Sequence, residues 1–181
     1  DNKPHKRPYF HPGSMSPKLA LCMVNLAHVH NNDTVLDPFC GTGGILIEAG
    51  ILNTKLIGSD IEKHMYEGSK LNLAHEGFED FKIMWEDVRK LELDETVDAV
   101  AMDPPYGIST TLGGDNTKEL YHEALIAISN YLKDDGYICM ASPHYIDLNE
   151  VVEGTPLKIN QQHAIRMHKS LTRIITVLSK K

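Results

Sequence analysis

The chain has 181 residues, 41% of them hydrophobic and 24% charged, with a net charge of −7. That is enough chain and enough apolar content for one globular domain with its own core, and no apolar run reaches the ~20 residues of a membrane span. The acidic balance argues against a free-standing nucleic-acid binder, which carries a basic excess: either the substrate is small or another domain supplies the phosphate contacts.

Residues 1–13 are polar, proline-rich and basic in places, and read as a linker or N-terminal extension ahead of a domain at 14–181. Ser14 or Ser16 caps a first helix with Pro17 in its first turn and Leu19, Met23, Leu26 and Ala27 on its apolar face. Strand and helix signals then alternate. Strands are predicted at Thr34–Asp37, Lys55–Ser59, Phe81–Trp85, Val97–Met102 and Tyr137–Ala141. Helices are predicted at Gly44–Leu52, Ile61–Ala74 and Lys118–Leu132, the last with Leu120, Ala124, Ile128 and Leu132 four apart and Asp135-Gly136 as its stop. A weak helix near Tyr145–Val152 precedes two β-rich runs, Leu157–Met167 and Thr172–Leu178, joined by His168-Lys169-Ser170-Leu171. Repeated βα units closed by a hairpin predict an α/β, doubly wound, mainly parallel seven-stranded sheet with helices on both faces and a C-terminal antiparallel β-hairpin.

The chemistry-bearing residues cluster where those strands end. Asp37-Pro38-Phe39-Cys40-Gly41-Thr42-Gly43-Gly44 runs from the first strand into a helix, the context of a nucleotide site. It is neither G-x-G-x-x-G nor a phosphate loop, and an acid ahead of the glycines suits a ligand of cationic character, such as the amino and sulfonium centres of S-adenosylmethionine. Asp60 ends the second strand, where an acid accepts both ribose hydroxyls; as a plain structural residue it would cap the helix after it. Asp87 follows the third strand and is a candidate for an adenine amino group, or an ordinary turn residue. Asp103-Pro104-Pro105-Tyr106 follows the buried fourth strand. A carboxylate and a carbonyl to accept N–H bonds, an aromatic ring to stack, and two prolines to stiffen the loop suit the holding of a flat, weakly nucleophilic amine before an electrophile. Leu112-Gly113-Gly114-Asp115 reads as a segment that orders on substrate, or as a solvent loop.

Three cysteines, Cys22, Cys40 and Cys139, are odd in number and without C-x-x-C spacing, and no signal-peptide pattern opens the chain. Both point to a reduced, cytoplasmic protein, with no metal site among its ten histidines.

These motifs resemble the class I S-adenosylmethionine-dependent methyltransferases, and within them the amino-methylating enzymes with a D/N-P-P-Y/F motif. Arg7-Pro8-Tyr9-Phe10-His11-Pro12-Gly13-Ser14-Met15-Ser16-Pro17-Lys18-Leu19-Ala20, with Asp103-Pro104-Pro105-Tyr106-Gly107 and His168-Lys169-Ser170-Leu171-Thr172-Arg173, is similar to the archaeal tRNA guanine-N2 methyltransferases that act at position 10. The resemblance covers nearly the whole chain and implies a Rossmann-like fold, S-adenosylmethionine as cofactor and tRNA as substrate. Such enzymes carry an N-terminal THUMP-type RNA-binding module, which this chain lacks, so it reads as the catalytic half alone, a monomer. The resemblance implies a catalytic set of Asp103, Pro104, Pro105 and Tyr106. It implies cofactor contacts from Ser14, Asp37, Phe39, Cys40, Gly41, Gly43, Asp60, Ile61, Asp87, Val88 and Asp103. Two rival readings are an amino-methyltransferase acting on adenine N6 of DNA or on a protein glutamine, and a non-catalytic cofactor-binding subunit.

Overall fold

The computed structural model describes residues 3–107 and 114–181. Among them the strands form one seven-stranded sheet in the order β3-β2-β1-β4-β5-β7-β6. The strands are β1 (Thr34–Asp37), β2 (Lys55–Asp60), β3 (Phe81–Trp85), β4 (Val97–Met102), β5 (Leu132–Pro143), β6 (Leu157–His168) and β7 (Leu171–Lys180). The pairs from β3 across to β5 are parallel, and β7 runs antiparallel to both β5 and β6. The chain order reverses beside β1, between β1 and β4, which opens a crevice at the strand C-termini there.

Alternation along the strands sends side chains to two cores. Val35, Ala99, Ala101, Cys139 and Ala141 face the core under α1 (Pro17–Leu26), α2 (Gly44–Gly50) and α3 (Lys63–His75). Leu36, Val100, Met102, Ile138 and Met140 face the core under α4 (Gly114–Ser129) and α5 (Leu148–Val152). Central strands buried on both faces read as continuous apolar runs, which is why they are recognisable in the sequence.

Helix boundaries differ from the sequence expectation by one to four residues, and two of the differences are instructive. α4 ends at Ser129 rather than near Leu132, and its inward face carries Tyr121, Ala124, Leu125 and Ile128, while Leu120 is only partly buried. Leu132 already pairs with Val97 in the sheet, and the register then shifts so that Ala99 meets Tyr137. Asp135-Gly136 therefore belongs to a bulge inside β5 rather than to a helix stop. Gly136 is required there by close approach: a Cβ would stand 2.7 Å from the Asp98 carbonyl. α3 starts at Lys63, two residues later than expected, because Asp60 Oδ1 first accepts the Glu62 N–H.

Despite its linker-like composition, the stretch ahead of α1 packs on the domain. Arg7 is only 6% exposed. The Tyr9 N–H donates to Asn72 Oδ1 and the Tyr9 carbonyl accepts from Asn72 Nδ2, both at or below 2.9 Å. Asn72 Nδ2 also donates to the Thr42 carbonyl, so one buried amide ties this stretch to the glycine loop. Ser16 caps α1 through the Leu19 N–H. Leu112 and Gly113 lie outside the described residues, and Gly114 opens α4. Among the described residues no helix is long and apolar enough to cross a membrane.

Candidate functional site

A cavity of about 830 Å³ sits at the C-terminal ends of β1, β2 and β4. Its volume is at the upper end of small-molecule pockets. Asp37, Phe39, Cys40, Gly41, Asp60, Ile61, Asp87, Val88 and Ser14 all line it, together with Asp103, Pro104, Pro105 and Tyr106. Gly43 alone of the expected set does not. It is the N-cap of α2, with φ +85°, and shapes the turn from behind.

The floor is built by the β1–α2 turn. Gly41 has φ +50° and no atom within 4 Å of where a Cβ would stand, so the backbone offers an open cradle that a side chain would fill. Its N–H donates to Asp60 Oδ2 at 2.9 Å. Asp60 therefore both steers the chain into α3 and latches the glycine loop, and each of its oxygens keeps lone-pair capacity for a ligand. Ser14 and Thr42 share a hydroxyl–hydroxyl hydrogen bond of 3.1 Å on the adjoining wall.

The electrostatics of this floor are unusual. Asp37 is 1% exposed. Burial pushes its carboxyl well above the ordinary carboxylate range, against the Phe39 N–H, and the negative charges of Asp60 and Asp103 add to the rise. Burial also raises Asp60, against N–H bonds from Glu62 and Gly41. Three acids facing one cavity repel one another, and a cationic ligand relieves that repulsion. The open cradle and this donor set fit the amino acid and sulfonium end of S-adenosylmethionine. Cys40 is buried, and desolvation pushes its thiol well up, away from the reactive thiolate form.

Asp87, expected as a candidate for an adenine amino group or as a turn residue, already carries a partner. Arg89 grips its carboxylate through Nε and Nη2, the shortest contact being 2.6 Å, and the Arg89 N–H bonds Oδ1 as well. These bonds hold Asp87 below the usual carboxylate range. A ligand amine would have to share it with Arg89.

The opposite wall is the loop after β4. Asp103 keeps 21% of its side-chain surface open, and burial raises its carboxyl against the Arg173 charge and the Tyr106 hydrogen bond. The Tyr106 hydroxyl donates to Asp103 Oδ1 at 2.7 Å. The loop's carbonyls are pinned from outside: Tyr121 of α4 donates to the Pro105 carbonyl and Tyr145 to the Tyr106 carbonyl, each at 2.8 Å. Among the described residues nothing donates to the Pro104 carbonyl, and Pro104 lines the cavity. The wall thus presents a carboxylate, an available carbonyl and a phenol side by side.

Reasoning from sequence missed Asn72, Tyr121 and Tyr145, whose signal is only that of polar tips on otherwise apolar faces. The hairpin segment His168–Arg173 divides. His168 and Ser170 close the turn on each other, whereas Leu171 and Arg173 line the cavity.

A family model described as RMKL-like, methyltransferase domain, matches residues 4–175. A tRNA (guanine(10)-N2)-dimethyltransferase of Methanothermobacter thermautotrophicus is 51% identical over 178 residues, covering 98% of this chain and 53% of that protein. One of the same name from Methanocaldococcus jannaschii is 42% identical over 192 residues, covering 99% of this chain and 50% of its own length. The chain thus spans about half the length of these curated relatives. Among solved structures, TrmN from Thermus thermophilus superposes with a TM-score of 0.79 at 20% identity, over 94% of this chain and 50% of that one, a likeness of fold.

Proposed function

Since the chain belongs to the RMKL-like methyltransferase-domain family, we propose that it is the catalytic domain of an S-adenosylmethionine-dependent enzyme that methylates the exocyclic N2 of guanine at position 10 of tRNA. The observation that carries this reading is that Asp103-Pro104-Pro105-Tyr106 and the glycine loop with Asp60 face one another across a single cavity. The names of the two archaeal relatives support guanine N2 of tRNA as the acceptor, and a pocket that admits the monomethylated base for a second transfer. In the length of those relatives that this chain does not span, a THUMP-type RNA-binding module would deliver the tRNA.

S-adenosylmethionine, when bound, supplies an electrophilic methyl group on a sulfonium sulfur. Asp37, Asp60 and the Gly41 backbone would hold it, with Ser14 beside its methionine part and Asp87 beside its adenine. The guanine amine is a poor nucleophile because its lone pair is delocalised into the ring. The Asp103 carboxylate and the Pro104 carbonyl accept its two N–H bonds and draw the lone pair out of conjugation. As nitrogen gains positive charge, the same two acceptors stabilise it. Asp103 is placed to take the released proton. Tyr106 offers a face to a base that has left its helix, a contact worth ~1–3 kcal/mol per base in single-strand sites.

Radiolabelled methyl transfer to unmodified tRNA, followed by nucleoside analysis, tests the reading on this chain and on a longer protein that carries it. Label in N2-methyl- and N2,N2-dimethylguanosine is expected. Label in N6-methyladenine, or only on protein, would point to the rival amino-methyltransferases, and tight cofactor binding without any transfer to a non-catalytic subunit.

A further inference from the structure

The hydrogen bonds around Tyr106 have a direction that follows from donor chemistry. A guanidinium donates and never accepts. Arg173 Nε donates to the Tyr106 hydroxyl oxygen at 2.6 Å. The phenol must therefore turn its own hydrogen elsewhere, and Asp103 Oδ1 receives it at 2.7 Å. Arg173 Nη2 stands 3.6 Å from Asp103 Oδ2, within ion-pair range but too long for a hydrogen bond. Its guanidinium carbon lies 5.6 Å from the centre of the Tyr106 ring. One arginine, 67 residues from the motif, thus touches both working groups of the loop.

Arg173 is itself fixed. Its side chain is 11% exposed. Its strand is paired on both sides, Arg173 lying opposite Pro143 of β5 and Ile165 of β6. Burial raises the Asp103 carboxyl and the Arg173 charge opposes that rise; a protonated carboxyl would lose one oxygen as an acceptor. Among the described residues, the titratable groups facing Asp103 are Arg173 from β7, Tyr106 from its own loop, Tyr121 from α4 and Asp37 from β1. Of these only Arg173 is a cation.

We propose, resting on the function given above, that Arg173 is a positioning residue of the transfer site: through Tyr106 it aims the phenolic proton at Asp103 Oδ1, and beside Oδ2 it keeps the carboxylate a charged, oriented acceptor for the incoming amine. It acts on the methyl-accepting side and makes no hydrogen bond to the glycine loop or Asp60 among the described residues.

The test uses Arg173→Met, Arg173→Lys, Tyr106→Phe and the double variant Arg173→Met/Tyr106→Phe. In single-turnover transfer to tRNA, Arg173→Met should lose about 10- to 100-fold in rate, the scale of misplaced reacting groups. Cofactor affinity by calorimetry should stay within about threefold, well under the tenfold that corresponds to ~1.4 kcal/mol. The acid limb of its rate profile should move to higher pH. Arg173→Lys should return the acid limb towards that of the parent but recover only part of the rate, because an ammonium lacks the planar fork. In the Tyr106→Phe background, removing Arg173 should cost clearly less than in the parent. A rate for Arg173→Met within twofold of the parent with an unmoved acid limb, or full additivity with Tyr106→Phe, would overturn the proposal.

Carbon-13 NMR titration of the Asp103 carboxyl, without substrate, separates this inference from the function it rests on. The Asp103 midpoint should rise in Arg173→Met whatever the protein methylates, and an unmoved midpoint overturns the inference even in an active enzyme. A parent that leaves tRNA unmethylated while the midpoint still moves overturns the proposed substrate alone.

Discussion

On the β1–β2 side of the cavity the acids are held by backbone N–H groups. Phe39 N–H bonds Asp37 and Glu62 N–H bonds Asp60, each two residues away, and Gly41 N–H reaches Asp60 across nineteen. On the β4 side the loop is held by side chains from 16, 39 and 67 residues further on, namely Tyr121, Tyr145 and Arg173. The acids of the first wall need only backbone from the β1–α2 and β2–α3 turns, and the glycine loop is tied further by Asn72 of α3 and by Ser14. The second exists only once α4, the end of β5 and the terminal hairpin have all docked. Cofactor affinity should therefore tolerate changes in α4 and the terminal hairpin, and methyl transfer should not.

The sharpest separation of the two walls comes from Asp103→Ala. Transfer should fall by about 100-fold or more, the scale seen when one preorganised charge-stabilising group is removed, while calorimetry finds cofactor affinity nearly unchanged. Activity within about tenfold of the parent, ~1.4 kcal/mol, would remove Asp103 from the chemistry. Asp60→Ala should do the reverse. Binding should weaken by about 10- to 100-fold, because charged hydrogen bonds contribute about 1.5–3 kcal/mol, and the Gly41 amide should exchange with solvent faster once its acceptor is gone. Unchanged affinity would take Asp60 out of the site. Tyr121→Phe should leave affinity alone and slow transfer about fivefold, from a net hydrogen bond of about 1 kcal/mol. Tyr145→Phe should do less, since Tyr145 is 43% exposed and water can replace it.

The smallest effect is a pH dependence of stability. Burial raises the folded-state value of Asp37. Ionising it therefore costs stability, a cost that begins as pH climbs through the unfolded-state value and is complete above the folded-state one. Asp37→Asn keeps an acceptor for the Phe39 N–H without the charge. In cofactor-free protein its unfolding midpoint should exceed that of the parent at neutral pH, and the gap should close below the ordinary carboxylate range. A gap that does not change with pH would mean that the buried charge costs nothing, and the case for a cationic ligand would weaken with it.

The comparison also explains what the sequence made legible. β1, β3 and β4 have the bounds expected, because buried parallel strands are unbroken apolar runs between turn signals. The glycine loop and the acids at strand ends are visible for the same reason: their meaning is set by the strand just before them. Elsewhere the meaning of a residue depends on what folds against it. Asp135-Gly136 looks like a helix stop until the Asp98 carbonyl is known to lie against Gly136. Asp87 reads as a candidate adenine contact or a turn residue, and only the fold shows Arg89 turned back onto it through a short 3₁₀ turn at Val88–Lys90. Tyr121 sits one residue from Leu120, and a spacing of four admits either as the inward stripe; the burial of the Tyr121 ring decides it.

The amide of Asn72 has a practical corollary for anyone who would trim this domain. Starting the protein at the first helix looks harmless, since residues 1–13 have the composition of a tether. The cut would strip Asn72 of the Tyr9 N–H and carbonyl it serves, uncover Gly68 where the Tyr9 ring lies, and take away His11 and Gly13 from the cavity rim. An orphaned buried amide costs about 1–3 kcal/mol, and here it is the same amide that holds the Thr42 carbonyl. The shortened protein would still build its sheet, but with the cofactor end of the cavity loosened at its hinge.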